Sequence, residues 1–173
     1  MDDFTINNIL LLNKFTKDSF IGVFSSDTLP PYAQTDYYVV NLDMSQKPGS
    51  HWIAIKISKS KCKNEYFDSY GLGPPTVHFK KFMKYNYIYN SKRLQHSLST
   101  TCAQWCIYYI WRKCQGWSLR NILKPFYSKD FLINDHVLNL VVNNNFKINR
   151  KVIDKEFVKM QIARKTAEKN MHS

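Results

Sequence analysis

The stretch that decides the fold covers residues 94–106 and reads LQHSLSTTCAQWC. From Cys102 to Cys114, apolar side chains recur at the spacing of one helical face. They are Ala103, Cys106, Ile107, Ile110 and Cys114. Gly116 is the residue type that commonly ends a helix, and one of the hydroxyl residues at 99–101 can cap the first turn. The pattern therefore predicts a central amphipathic helix that begins at Cys102.

Two β-type segments upstream of this helix predict an antiparallel hairpin. Trp52–Ile57 alternates in character, residues 58–63 form a short polar loop, and residues 65–68 return. A loop of this length cannot carry a parallel crossover, so the two strands must be antiparallel. Because positions 51 and 68 are symmetric about the loop, His51 and Asp68 are expected to lie nearly opposite each other.

The rest of the chain predicts an α+β fold in which helices flank a small, mostly antiparallel sheet. Helix-like runs cover residues 5–15, 77–86 (helical or irregular), 134–142 and 152–169, and β-type runs cover 20–24, 37–42 and 87–89. A chain of 173 residues is most simply one domain with a sizeable core, so residues 1–173 are expected to form a single unit. The segment at about 147–173 is predicted to be its basic, helical C-terminal part.

Composition excludes a disordered chain and favours a polyanionic partner. Hydrophobic residues make up 44% of the chain and aromatic residues 15%, which is enough to bury a core. The formal net charge is +12. Such a surplus favours nucleic acid, or sometimes an anionic membrane surface, as a partner. The alternative is a lysine-rich surface with no specific partner.

Cysteine usage and the N-terminal sequence indicate a soluble, reduced, intracellular protein. Three of the four cysteines lie in one short segment, and the chain contains no paired CxxC or Cys/His zinc spacing, so no metal site is expected. The acidic start, Met1-Asp2-Asp3, leads no apolar run of signal length, and no stretch is long enough for a membrane span. We expect a monomer that is not secreted and does not enter a membrane.

Cys102 is the candidate nucleophile because it is placed in the first turn of the predicted helix. The free N–H groups and the positive end of the helix dipole there stabilise a thiolate. Taken alone, a buried structural cysteine is the commoner reading. Cys106 and Cys114 lie deeper in the helix and are interpreted as core residues.

His51 becomes a candidate base through its predicted pairing with Asp68. A lone histidine before a strand is usually a surface residue, but a carboxylate fixes the tautomer of the ring and favours imidazolium. His96 has no such partner in the sequence, although it is close enough to Cys102 to need testing. A nucleophile, a base and an orienting carboxylate together suffice for a thiol protease.

These blocks, in the order histidine, carboxylate, glutamine, cysteine, resemble the adenovirus protease (adenain) family and, more distantly, the SUMO and ubiquitin-like proteases of the same clan. The resemblance covers roughly residues 21–111. Its blocks are GVF with Asp27 after it, GSHW at 49–52, FDSYG at 67–71, and the stretch from Gln95 to Cys106. One departure is Ala103, where glycine usually follows the cysteine.

The resemblance implies a role for each site residue. His51 would activate Cys102, and Asp68 would orient His51. Gln95, seven residues before Cys102, would donate its side-chain amide to the oxyanion, and the backbone N–H of Cys102 would be the second donor.

The resemblance also implies a biological role: a cysteine endopeptidase of a DNA virus or virus-like mobile element that cleaves structural, capsid or packaging precursors during particle maturation. The resemblance further implies a preference for small residues, especially glycine, before the cleaved bond. The expected location is the virion and the host nucleus or cytoplasm. No cofactor is required for the chemistry, but double-stranded DNA is an expected activator. Because no cysteine occurs around Lys84, an activating peptide would bind non-covalently rather than through a disulfide.

Two other functions stay open at this point. A deubiquitinating or deSUMOylating isopeptidase would share the residue order and the chemistry. A catalytically silent, basic nucleic-acid-binding protein could be built on the same fold.

Overall fold

A computed structural model describes residues 1–59, 62–126 and 129–146 of the chain. The predicted helix at 152–169 and the basic segment at 147–173 therefore lie outside the described residues. The elements, in chain order, are α1 (Asp3–Leu12), β1 (Phe20–Ser25), β2 (Asp36–Asn41), β3 (Trp52–Ile57), β4 (Asn64–Phe67), α2 (Val77–Phe82), β5 (Tyr87–Tyr89), α3 (Cys102–Cys114), α4 (Leu119–Leu123) and α5 (Phe131–Phe146).

The five strands form one sheet in the order β1-β2-β3-β4-β5. The two central pairings, β2 with β3 and β3 with β4, are antiparallel, and the two edge pairings are parallel. The predicted α+β class is confirmed, with a sheet that is antiparallel only at its centre. At the β5 edge the parallel pairing follows from α2, because a helix between two strands lets the chain cross over and return in the same direction.

Alternating side chains of the central strands give the sheet an apolar layer on each face. On one face, Val39 and Ala54 pack in a cluster with Trp105 and Tyr109 of α3, together with residues of α1, α4 and α5. On the other face, the neighbouring positions of β2 and β3 pack with Phe79 and other residues of α2. The small side chain of Ala54 leaves room for α3 to lie against the centre of the sheet, with the start of α3 close to the start of β3.

The predicted hairpin is antiparallel, but its register is shifted from the predicted one. Ala54 pairs with Phe67, so Asp68 is level with Ile53, two residues beyond His51. The two residues are therefore nearly opposite each other, as predicted, with an offset of two positions. Side chains alternate between the two faces of a strand with a period of two, so a shift of two residues keeps the same face.

Helix α3 begins and ends where the sequence predicts. Gly116 follows it in the left-handed region, at φ +84, and donates its N–H to the carbonyl of Lys113. The capping differs from the simplest expectation. Thr101 is the N-cap residue, but its hydroxyl donates to Asp135 of α5 instead of accepting from the first turn.

None of the helices in the described part of the chain is both long and apolar enough to cross a bilayer.

Candidate active site

A histidine and an aspartate form a buried pair where β3 begins and β4 ends. His51 donates its Nε2–H to Oδ1 of Asp68 at 2.7 Å, since an ionised carboxylate can only accept. Oδ1 also accepts from the backbone N–H of Tyr70 at 2.8 Å. Asp68 is 1% exposed and His51 is 9% exposed. The carboxylate is thus held from two sides, and it fixes the tautomer of the ring.

Asn90 holds the backbone of Asp68 from the loop after β5. Its Nδ2 donates to the carbonyl of Asp68 at 2.6 Å, and its Oδ1 accepts from the backbone N–H of Asp68 at 2.9 Å. This reciprocal pair determines where β4 ends and where the carboxylate points. Sequence reasoning missed Asn90, because a single asparagine after a short strand gives no signal of a partner 22 residues away.

The imidazole of His51 lies in surroundings that favour its charged form. Burial lowers the pKa of His51, but hydrogen bonds to Asp68 and Cys102, and their negative charge, raise it more strongly, to about 9. The ring of Tyr70 stacks on the imidazole, with centroids 4.7 Å apart and planes at 28°. His51 therefore carries a second proton at neutral pH when Cys102 is present as a thiolate.

Cys102 is the first residue of α3, and its thiol is close enough to His51 to contribute to the raised pKa of the ring. Because Nε2 of the ring is bonded to Asp68, Nδ1 is the nitrogen left to face the thiol. The other cysteines of the helix are placed differently. Cys106 is 1% exposed, and burial raises its pKa well above the usual range; burial also raises the pKa of Cys114 to about 11. Cys106 and Cys114 are thus held as neutral thiols.

Gln95 is fully buried beside this group, and its amide already has partners. Its Oε1 accepts from the hydroxyl of Ser69 at 2.5 Å, and its Nε2 donates to the carbonyl of Ser99 at 2.9 Å. Since that carbonyl can only accept, the nitrogen must face it. Nε2 also lies 3.4 Å from the hydroxyl of Tyr70, which is a long contact. The N–H directed at Tyr70 is the one available for exchange with another acceptor.

The loop that carries Gln95 to Cys102 is held by a buried carboxylate from α5. Asp135 is 0% exposed and accepts from the backbone N–H of His96 at 2.9 Å, the hydroxyl of Thr101 at 2.6 Å and the indole N–H of Trp105 at 2.8 Å. Burial raises the pKa of Asp135, and the hydrogen bonds oppose that rise. These three contacts fix both ends of the loop relative to the first turn of α3.

His96 is placed in this loop without the partner that His51 has. Its Nδ1 accepts from the backbone N–H of Leu98 at 3.2 Å, so that nitrogen faces its own loop.

Gly71 lets the loop after Asp68 lie against the loop before Gln95. Its φ is +74, and a Cβ at this position would lie 2.6 Å from the backbone of Lys92. The carbonyl of Ser69 accepts from the backbone N–H groups of Leu94 and Gln95 at 2.8 and 3.1 Å. Only glycine fits this approach without displacing backbone.

A cleft of about 730 Å³ opens beside Cys102. Its lining includes Trp52, Tyr70, Ser99 and Cys102, and it extends toward β1 and β2. Among the residues that the structure describes, no three His, Cys, Asp or Glu side chains come together as a metal-binding group. The arrangement therefore offers a thiol at the wall of an open cleft, with an imidazole and a carboxylate buried behind it, and these are the groups of nucleophilic acyl transfer.

No protein-family model matches the chain, and no curated protein matches it in sequence. Among solved structures, the chain is similar to the crystal structure of the ASFV pS273R protease, with 18% sequence identity and a TM-score of 0.54. That match covers 80% of this chain and 66% of the protease, so the chain spans about two thirds of that relative's length. A crystal structure of the Se-Met form of the same protease matches over 60% of this chain and 43% of that one, with 21% identity and a TM-score of 0.43.

The first of these likenesses confirms the predicted fold: the chain has the α+β fold of that protease. Membership of the adenovirus protease family stays a prediction.

Proposed function

We propose that this protein is a cysteine endopeptidase in which Cys102 is the nucleophile, His51 the base and Asp68 the residue that orients the base. One observation carries the proposal. The imidazole is bonded to Asp68 through Nε2 at 2.7 Å, and its other nitrogen is left for a thiol at the start of a helix and on the wall of a cleft. The similarity of fold to the ASFV pS273R protease supports the same class of reaction.

The chemistry follows from this arrangement. The Cys102 thiol gives its proton to Nδ1 of His51, and the thiolate attacks the carbonyl carbon of the scissile peptide bond. The imidazolium then protonates the leaving amine as the C–N bond breaks, which leaves a thioester on Cys102. Water, deprotonated by His51, hydrolyses the thioester and regenerates the thiol.

Two N–H groups are candidates to stabilise the negative charge that develops on the carbonyl oxygen. The backbone N–H of Cys102 lies in the first turn of α3, where N–H groups have no acceptor within the helix. The side chain of Gln95 would supply the second, by exchanging its 3.4 Å contact with Tyr70 for the oxyanion.

The proposed substrates are structural or packaging precursors of a virus or virus-like element, cleaved during particle maturation in the virion or the infected cell. The test is to incubate the purified protein with capsid-type proteins encoded beside it and to sequence the new termini by mass spectrometry. We expect cleavage after small residues by the natural protein and none by Cys102→Ala. Turnover of fluorogenic ubiquitin or SUMO substrates, with the capsid-type proteins left intact, would instead identify an isopeptidase.

Double-stranded DNA is the proposed activator, and a non-covalent peptide is a further proposed partner of the monomer. The net charge of +12 supports the first, and the exposed Lys59 and Lys63 lie at the turn end of the β3–β4 hairpin. Phosphate contacts release counterions, so affinity should fall steeply with salt. Fluorescence anisotropy with a labelled duplex should show binding at low salt. This binding should be lost at salt concentrations on the order of several hundred millimolar. Binding that is indifferent to salt, or absent at low salt, would contradict the proposal.

DNA binding without labelling of Cys102 by a thiol-directed probe would favour a catalytically silent protein.

A further inference from the structure

Asn41, the last residue of β2, lies in the cleft beside the proposed catalytic group. It pairs with Trp52 across the sheet, and the backbone N–H of the next residue, Leu42, donates to the carbonyl of His51 at 2.9 Å. Both Asn41 and Cys102 line the same cleft. Strand pairing thus ties the position of Asn41 to that of His51.

Asn41 is 5% exposed, and only the oxygen of its side-chain amide has a hydrogen-bond partner among the described residues. Its Oδ1 accepts from the backbone N–H of Asp43 at 3.0 Å, which fixes the orientation of the amide and directs Nδ2 the other way. Among the described residues no acceptor is recorded for Nδ2. Nδ2 is not sealed from solvent, so an acceptor on a molecule bound in the cleft can reach it.

Asn64 shows what a purely structural asparagine looks like in the same sheet. It is 6% exposed, and its Oδ1 accepts from the backbone N–H of Ser58 at 2.9 Å. Unlike Asn41, it also donates Nδ2 to a carbonyl, that of Met83, at 2.8 Å. The two asparagines are similar in burial and in their contact with a backbone N–H. They differ in that Nδ2 of Asn64 has an acceptor and Nδ2 of Asn41 has none among the described residues.

Gly49 keeps the donor of Asn41 open to the cleft. Its φ is +84, and a Cβ at this position would lie 2.5 Å from Nδ2 of Asn41. Any side chain at position 49 would therefore crowd the amide from the side of the cleft. Glycine leaves the N–H groups accessible to a bound molecule.

We infer that Asn41 is a substrate-binding residue whose Nδ2–H donates to a main-chain carbonyl oxygen of the peptide held in the cleft. This inference rests on the proposed function. An uncharged amide donor suits an uncharged acceptor, and a peptide presents a carbonyl at every residue. Because Asn41 is tied to His51 through Leu42 and Trp52, the bond would hold the peptide close to the scissile bond without contact to the reacting atoms.

The test compares two variants of Asn41 with one of Asn64. Asn41→Asp keeps the acceptor for the backbone N–H of Asp43 and removes the donor, and Asn41→Ala removes both. The two probes are a tripeptide vinyl methyl ester that ends in Gly-Gly, which must occupy the cleft before it alkylates Cys102, and iodoacetamide, which need not. Asn64→Ala is the control.

We expect the inhibition constant of the peptide probe, and the KM for cleaved substrates, to rise about tenfold in Asn41→Ala and at least as much in Asn41→Asp. The rate of iodoacetamide labelling, the alkaline limb of the pH–rate profile and the Tm of Asn41→Asp should stay close to those of the natural protein. Asn64→Ala should lower Tm and leave both constants unchanged.

Unchanged constants in both Asn41 variants would overturn the inference while leaving the endopeptidase proposal intact. A parallel loss of iodoacetamide labelling in the Asn41 variants would also overturn it, because it would show a structural role. If the natural protein reacts with iodoacetamide but cleaves no peptide or protein, it is the proposed function that fails.

Discussion

The two halves of the candidate site are held by different kinds of structure. His51 and Asp68 stand at the ends of paired strands, and Asn90 completes their support from the loop after β5. Gln95 and Cys102 stand at the ends of a loop before α3 and are held by Asp135 from a helix much later in the chain. We call these the sheet half and the helix half. The sheet half depends on contacts within one hairpin and its neighbour, whereas the helix half depends on packing between distant segments.

The largest expected effect is in the helix half, at the proposed nucleophile. Cys102→Ala should abolish peptidase activity and leave the fold intact, because it removes the attacking atom and little volume. Cys106→Ala is the matched control from the same helix. It should keep turnover per folded molecule and lower stability, since it removes a buried group. Peptide cleavage and thermal unfolding measure the two effects. Wild-type turnover in Cys102→Ala would refute the mechanism.

In the sheet half, substitution of His51 should lower activity as much as substitution of the proposed nucleophile. His51→Ala should lose about as much activity as Cys102→Ala, since members of a catalytic unit act together. His96→Ala, the control from the neighbouring loop, should cost little. If both histidine variants lose activity equally in a peptide cleavage assay, the base remains unassigned.

Asp68→Asn should be milder and should change the pH dependence. The raised pKa of His51, about 9, means that the imidazolium is present below that pH and is lost as pH rises through it. Activity that needs the imidazolium should therefore fall above about pH 9 in the natural protein. Removing the charge of Asp68 lowers the pKa of His51, so the alkaline limb of the pH–rate profile should move to lower pH. A limb that does not move would show that Asp68 does not act through His51.

Gln95 separates the oxyanion role from support of the nucleophile in the helix half. Gln95→Ala should lower turnover by about 10²–10³-fold, the usual loss for one oxyanion donor. Iodoacetamide labelling of Cys102 should change little, because that reaction forms no oxyanion. A parallel fall in labelling and turnover would assign Gln95 to holding the loop, which its contacts with Ser69 and Ser99 also permit.

Asp135 should give the smallest loss of activity and the clearest loss of stability. Asp135→Asn replaces one accepting oxygen by a donor that faces other donors, so the free energy of unfolding should fall by about 1–3 kcal/mol. Turnover should fall less than in Gln95→Ala, because the catalytic groups themselves are retained. Denaturant unfolding and peptide cleavage measure the two effects. Unchanged stability would mean that the helix half does not depend on this carboxylate.

The parts predictable from the sequence were those with a local cause. Periodicity places α3 at Cys102–Cys114, and glycine chemistry ends it at Gly116. Polarity and loop length predict the antiparallel hairpin. They do not fix its exact register, because the symmetry of the two segments about the loop does not tell which residues belong to the turn. The shift of two residues did not separate His51 from Asp68, because it preserved the face of the strand.

The sequence alone predicts the element that carries Cys102, the hairpin that carries His51 and Asp68, and the reaction class that these residue types favour. Only the tertiary structure decided what surrounds them. Asn90, Asp135 and Asn41 gave no signal in the sequence, because a buried polar side chain gains its meaning from the group it contacts. Those contacts join segments far apart in the chain, and their geometry arises from packing around the sheet rather than from any local pattern.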